Sequence, residues 1–207
     1  MDMIRNREEA AALLAEKLMK YKNQDGVVLA IPRGGVPVAA PIARSLHMPL
    51  DLVLVKKIGH PANPEYAIGS VGLDSITLDP TIDVPASYVQ AEAERVREGL
   101  HEKYALFRGN KEPLALQNKV VIIVDDGIAT GKTLQQTIAM VKERKPAKVI
   151  VAVPVAPPSA ITKLHGQVDE VVCLLTPPFF QAVGQFYQEF TQTTDEEVIA
   201  LMQELGT

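Results

Sequence analysis

Apolar positions along the chain recur at two spacings, and the two alternate. Asn6 followed by Glu9 marks a helix start, and Ala11, Leu14, Leu18 and Tyr21 then recur every three or four residues to about Lys22. Next comes the short apolar run Val27 to Ile31, closed by Pro32-Arg33-Gly34-Gly35, and then a helical pattern from Val36 to Leu46. Leu52 to Val55 is a further apolar run, closed by Lys56 and Lys57. From Ile58 to Gly72 no period is visible, and the Gly, Pro, Asn and Ala content predicts a long loop, a feature often tied to function in a compact domain. Residues 71–78 predict a strand or hairpin pair, and Pro80 and Pro85 then break the chain.

The longest helical signal runs from Ala86 to Phe107, with Val89, Ala93, Val96, Leu100, Tyr104 and Phe107 on one stripe. That stripe predicts core packing first and a contact in a homodimer second. Val120 to Val124 is a continuous β-branched run, as in a strand covered on both faces. Leu134 to Arg144 and Ser159 to His165 predict helices, Lys148 to Val153 and Val168 to Leu175 strands, and Asp195 to Leu205 a closing helix capped by Thr194 or Asp195. Residues 176–193 are irregular and aromatic. Strands alternating with helices predict an α/β fold, a parallel twisted sheet flanked by helices.

Composition changes this picture little. At 207 residues, 47% hydrophobic and 22% charged, the chain suits one domain with a core of ordinary size. Its net charge of −4 argues against a nucleic-acid surface. Runs such as Val149 to Ala156 are too short to span a bilayer, and the charged, helical N-terminus has no signal-peptide core, so no membrane is expected and the cytoplasm is the expected compartment. The single cysteine, Cys173, lies in an apolar run and predicts a buried structural thiol. His47, His60, His101 and His165 show no metal-ligand spacing.

In an open parallel sheet, ligands bind beyond the carboxyl ends of the strands. The predicted strands place four loops there: Pro32 to Gly35, Lys56 to Ile58, Asp125 to Thr133 and Pro154 to Ser159. The richest is Asp125-Asp126-Gly127-Ile128-Ala129-Thr130-Gly131-Lys132-Thr133. Two carboxylates at a strand end can accept hydrogen bonds from sugar hydroxyls and lie close to a divalent cation. The residues after them can turn several N–H groups inward, and the helix that follows turns its positive end to the same point. A diol site and a monophosphate site side by side match a ribose 5-phosphate. An ordinary capped turn needs one acid, not two acids, two glycines and two threonines. A P-loop needs one residue more than this turn has: Gly127 to Thr133 reads G-x-x-x-G-K-T, which puts Asp126 where that loop carries its first glycine.

VVIIVDDGIATGKT (120–133) resembles the signature of type I phosphoribosyltransferases: four apolar residues, two acids, then T-G-x-T. PRGGVPVA (32–39), KKIGHPANPEYAIGSVG (56–72) and FFQAVGQFYQEFTQTTDEEV (179–198) resemble a less characterised bacterial branch of that family, over nearly the whole chain. The resemblance implies one domain over residues 1–207, with a core of about five parallel strands, a small hood mainly at 176–194 and a flexible loop at about 57–70 that closes over the reaction centre. It also implies 5-phosphoribosyl-1-pyrophosphate as donor, a nitrogen acceptor such as a nucleobase, and Mg²⁺. Asp125 and Asp126 would hold the ribose hydroxyls and lie at the metal, while Gly127 and Ala129 to Thr133 (with Thr130, Gly131 and Lys132) would hold the 5-phosphate.

In the same reading Arg33, Gly34 and Gly35 form a pyrophosphate loop with a strained or cis peptide near Arg33, and Lys56 and Lys57 supply further cations, Lys57 as a catalytic one. Without the Asp125 segment, an exposed Arg on a Gly turn and solvated lysines would explain these residues as well. Glu65, Tyr66 and His60 stand in the closing loop, a structural Glu65 being the plainer reading. Phe179, Phe186 and Tyr187 are the rings expected near the acceptor, with most of the aromatic segment forming the hood's own core. Ala129 stands where the hypoxanthine-guanine branch carries an acid, which argues against a 6-oxopurine acceptor. Two other functions fit the same site: a catalytically silent sensor of the donor, and a hydrolase of phosphorylated ribosides.

Overall fold

A computed structural model describes residues 3–205. Five strands form one parallel sheet: β1 (Gly26–Ala30), β2 (Leu50–Leu52), β6 (Val120–Val124), β7 (Lys148–Val155) and β8 (Glu170–Leu175), in the order β2-β1-β6-β7-β8. β6 is central and pairs with β1 and β7 along its whole length, so its five residues are all buried. Its side chains alternate between two cores. Val120, Ile122 and Val124 meet α1 (Arg7–Leu18), α2 (Gly35–Leu46), α3 (Ala86–Arg108) and α6 (Asp195–Glu204) on one face. Val121 and Ile123 meet α4 (Lys132–Glu143) and α5 (Pro158–Leu164) on the other. Two covered faces explain why this strand is apolar without a break.

Most predicted elements are present within a few residues, including the Asn6 cap, whose side chain accepts from the Glu9 amide. Thr194 caps α6, with Glu197 closing the box. The stripe of α3 is core: Val89, Ala93, Val96, Leu100, Tyr104 and Phe107 are all buried. Among the described residues no helix is long and apolar enough to cross a membrane. The Cys173 thiol is partly buried, donates to the Leu175 carbonyl, and is pushed up by burial to about 11.

The segment expected as a long loop is different. β3 (Lys56–His60) and β4 (Asn63–Val71) form an antiparallel hairpin, and β5 (Ile76–Leu78) adds a third strand. The strand pattern is hidden because the pairing rests on backbone contact at glycine. A Cβ on Gly59 would lie 2.3 Å from the Pro64 carbonyl oxygen, and one on Gly69 would lie 2.3 Å from that of Thr77. Ile58 and Ile68 anchor the hairpin in the core, and the Tyr88 hydroxyl ties it to α3 through the Gly59 carbonyl at 2.8 Å. Lys56 to Ile58 is therefore strand; the loop that follows β2 at the sheet edge is Val53 to Val55.

Candidate active site

The turns after β1 and β6 meet at the carboxyl edge of the sheet. Adjacent strands bring them side by side, and glycine lets them touch. A Cβ on Gly34 would fall 2.0 Å from Asp126 Oδ2, and one on Gly35 would fall 2.7 Å from the Val124 carbonyl oxygen and 3.1 Å from the Asp125 Cα. The Pro32-Arg33 peptide is cis. Pro32-Arg33-Gly34-Gly35 and Asp125-Asp126 thus form one surface, although about ninety residues of chain separate them.

The acids differ in environment. Asp125 Oδ1 accepts from the Asp126 amide at 2.9 Å. Burial, and then the Asp126 charge, hold the Asp125 carboxyl well above the usual carboxylate range. Asp126 is compensated by an arginine: Arg7 Nε and Nη2 donate to its Oδ2 at 2.9 and 2.8 Å. After the acids, the Ile128 amide donates a hydrogen bond to the Val155 carbonyl, while Ala129 and Thr130 are exposed. Gly131 adopts a left-handed conformation, φ 77°, which a side chain would disfavour, and α4 starts directly after it. No side chain caps α4, so its first N–H groups and, Ile128 apart, those of the turn remain available to an anion, flanked by the exposed Lys132 and Thr133.

Pro32, Lys56 and Thr133 line one cleft of about 420 Å³, with Arg95 and Lys103 of α3 on its far wall. Arg95 is held by Glu92 at 2.6 Å. Lys57 does not line this cleft; its ammonium pairs with Glu65 at 2.9 Å, an exposed pair that an anion could exchange at little cost. Arg33 lies 3.4 Å from Asp195 at the start of α6. His60 accepts the Ala62 amide and stands beside Tyr66 at the hairpin tip.

The rings expected near an acceptor divide. Phe186 and Tyr187 are buried at 1% and 3% exposure, in a small core with Ile4, Ala10 and Val155. Phe186 stacks on Phe180 with centroids 5.1 Å apart, and the Tyr187 hydroxyl donates to the Asp126 carbonyl at 2.7 Å. Packing buries both rings, against the expectation that they face an acceptor base, although Phe186 also lines the hollow at Phe179. Phe179 is 85% exposed and lies at a hollow of about 610 Å³ beyond β8, together with Thr176, Pro177 and Pro178.

The two acids also decide whether magnesium fits. Among the described residues no cluster of three or more His, Cys, Asp or Glu could cage a metal. Both Arg7 bonds go to Asp126 Oδ2 and leave its Oδ1 clear of the arginine, while the Asp125 carboxyl is bonded to the Asp126 amide and side chain. That fits Mg²⁺ held as it commonly is, by one or two carboxylates with water and substrate phosphates.

Sequence reasoning missed Arg7, Arg95 and Lys103. Arg7 left one signal: a cation at the first position of a helix opposes the helix dipole and needs another reason to be there.

The family model for the phosphoribosyl transferase domain matches residues 2–190. The chain belongs to that family. Rv0571c of Mycobacterium tuberculosis H37Rv, provisionally named a phosphoribosyl transferase, is 39% identical over 98% of this chain; the chain spans only 47% of that relative's length. The same holds for MT0597 of strain CDC 1551. The crystal structure of TT1426 from Thermus thermophilus is 41% identical, covers 100% of both chains, and superposes with a TM-score of 0.89. The five-stranded parallel sheet with its flanking helices and small antiparallel sheet is that family's fold.

Proposed function

We propose that the protein binds 5-phosphoribosyl-1-pyrophosphate and transfers its ribose 5-phosphate to a nitrogen acceptor, with release of pyrophosphate. The observation that carries this reading is the contact of Gly34 and Gly35 with Asp125 and Asp126. It puts an anion-binding turn, two hydroxyl-binding carboxylates and an uncapped helix start within reach of one small phosphorylated sugar. The Asp125 and Asp126 carboxylates accept from the ribose hydroxyls. The N–H groups of Gly127 and of Ala129 to Thr133, with the Thr130 and Thr133 hydroxyls, take the 5-phosphate. Arg33, the Gly34 amide and Lys56 take the pyrophosphate, with Lys57 joining them once it leaves Glu65, while the Gly35 amide stays on the Ile31 carbonyl.

In the transfer the bond between C1 and the pyrophosphate oxygen breaks, a C1–N bond forms, and the acceptor nitrogen loses its proton. Positive charge grows on the ribose ring as the leaving group departs, and the two carboxylates lie close to it. Mg²⁺ bound with the donor phosphates, near Asp125 and Asp126, would neutralise charge on the leaving group. The open hollow at Thr176 to Phe179 is the space for the acceptor, with Phe179 as the ring free to stack on a base.

The test is a screen of purines, pyrimidines and other amines with 5-phosphoribosyl-1-pyrophosphate and Mg²⁺, read out as pyrophosphate release. Acceptor-dependent release supports a transferase. Donor binding without release on any acceptor overturns it in favour of a sensor, and release with water alone favours a hydrolase.

A further inference from the structure

Arg7 lies outside every loop of the candidate site, yet it reaches that site. The N-terminal strand-like residues bring it there: the Ile4 amide donates to the Phe186 carbonyl, and the Gln188 and Glu189 amides donate to Ile4 and Arg5. α1 then opens with Arg7. Its guanidinium is used on every side. Nε and Nη2 both grip Asp126 Oδ2, Nη1 donates to the Thr191 carbonyl at 2.7 Å, and the plane lies 4.2 Å over the Phe190 ring. The side chain is 12% exposed.

Against the same oxygen stands Gly34, whose missing Cβ makes the space that Asp126 Oδ2 occupies. Oδ2 thus meets both Arg7 and the Gly34 backbone. Neither arginine nitrogen uses Oδ1.

We infer that Arg7 is a positioning residue of the donor site: it clamps Oδ2 of Asp126 so that Oδ1 meets a ribose hydroxyl from a fixed place. The clamp exists only while the N-terminal segment is docked on residues 186–191. The inference rests on the donor assignment made above. A carboxylate at a turn would otherwise lose rotational freedom on binding, and fixing it beforehand removes that cost from the affinity. An arginine suits the task and a lysine does not, because a planar fork can hold a carboxylate, a carbonyl and a ring face at once.

Calorimetric titration of the full chain with 5-phosphoribosyl-1-pyrophosphate and Mg²⁺ tests it, alongside thermal unfolding of each variant. Arg7→Gln weakens donor binding about ten- to a hundredfold, the scale of a lost charged hydrogen bond and a misplaced anchor. Arg7→Lys restores only part of that loss. Arg5→Gln, which removes the same charge from an exposed neighbour, leaves the affinity within about twofold of wild type, as expected for a screened surface charge. Arg7→Gln binding as tightly as wild type, or more tightly, overturns the inference; so does full rescue by lysine, since charge alone would then suffice. Because affinity is measured on the folded fraction, a variant that is merely less stable keeps wild-type affinity, and that result also overturns it. Wild-type protein that binds no donor overturns the donor assignment itself, and this inference with it.

Discussion

After β1 the chain turns on glycines whose missing side chains let it meet the carboxylate and backbone atoms at the end of β6, whereas residues 176–194 hold together through rings. Gly34 and Gly35 bring the backbone against Asp126 and Val124, and Gly131 leads into the uncapped start of α4. Phe180, Phe186, Tyr187 and Phe190 face one another or Arg7 on the hood side, while Phe179 remains open. One side is built on close backbone approach and the other on its own cohesion. The relation between them is direct, because the Tyr187 hydroxyl and Arg7 both bind Asp126.

Four substitutions put that contrast at risk, and Gly34→Ala has the largest expected effect. It forces a methyl group to within 2.0 Å of Asp126 Oδ2, so the acid must move. Donor affinity, measured by calorimetry, falls by at least about a hundredfold, as expected for an anchor displaced by an ångström or more. Wild-type affinity in that variant would show that the two turns do not act as one surface. Phe186→Ala removes the centre of the hood's core and lowers unfolding stability by about 3–5 kcal/mol, measured by denaturant titration. A loss under about 1 kcal/mol, far below that range, would mean the hood ring is not packed as described.

Asp125→Asn acts through pH. The folded carboxyl has a raised pKa, so its ionisation costs the folded state. That stability is complete below the unfolded value of about 4 and is lost as pH rises through the folded value. Melting temperatures of the variant and wild type therefore converge in acid, and the variant gains relative to wild type as pH rises through that window. A gap that widens toward acid would contradict the environment assigned to Asp125. The smallest effect is that of Phe179→Ala. It leaves stability within about 0.5 kcal/mol, as for other exposed positions, and raises the acceptor KM in the pyrophosphate-release assay. An unchanged acceptor KM would remove Phe179 from the acceptor side.

The same division governs what could be read from the residues alone. The sheet was legible because β6 and β7 are β-branched runs buried on both faces. The donor turns were legible because close approach and left-handed backbone demand glycine at fixed places. The β3–β4 hairpin was not, since Gly59 and Gly69 serve strand contact there and their presence read as a loop. The burial of Phe186 and Tyr187 was not legible, because an aromatic residue looks alike in sequence whether it packs inward or faces a ligand. Arg7 was missed because its partner lies 119 residues away, and no local pattern reports such a pair.

The most direct test of the central claim is donor binding to Asp125→Asn combined with Asp126→Asn, measured by calorimetry on protein shown to be folded. Both substitutions keep size and remove charge where the ribose hydroxyls are assigned. Abolished binding of 5-phosphoribosyl-1-pyrophosphate is the predicted result. Undiminished binding in the folded double variant would contradict it.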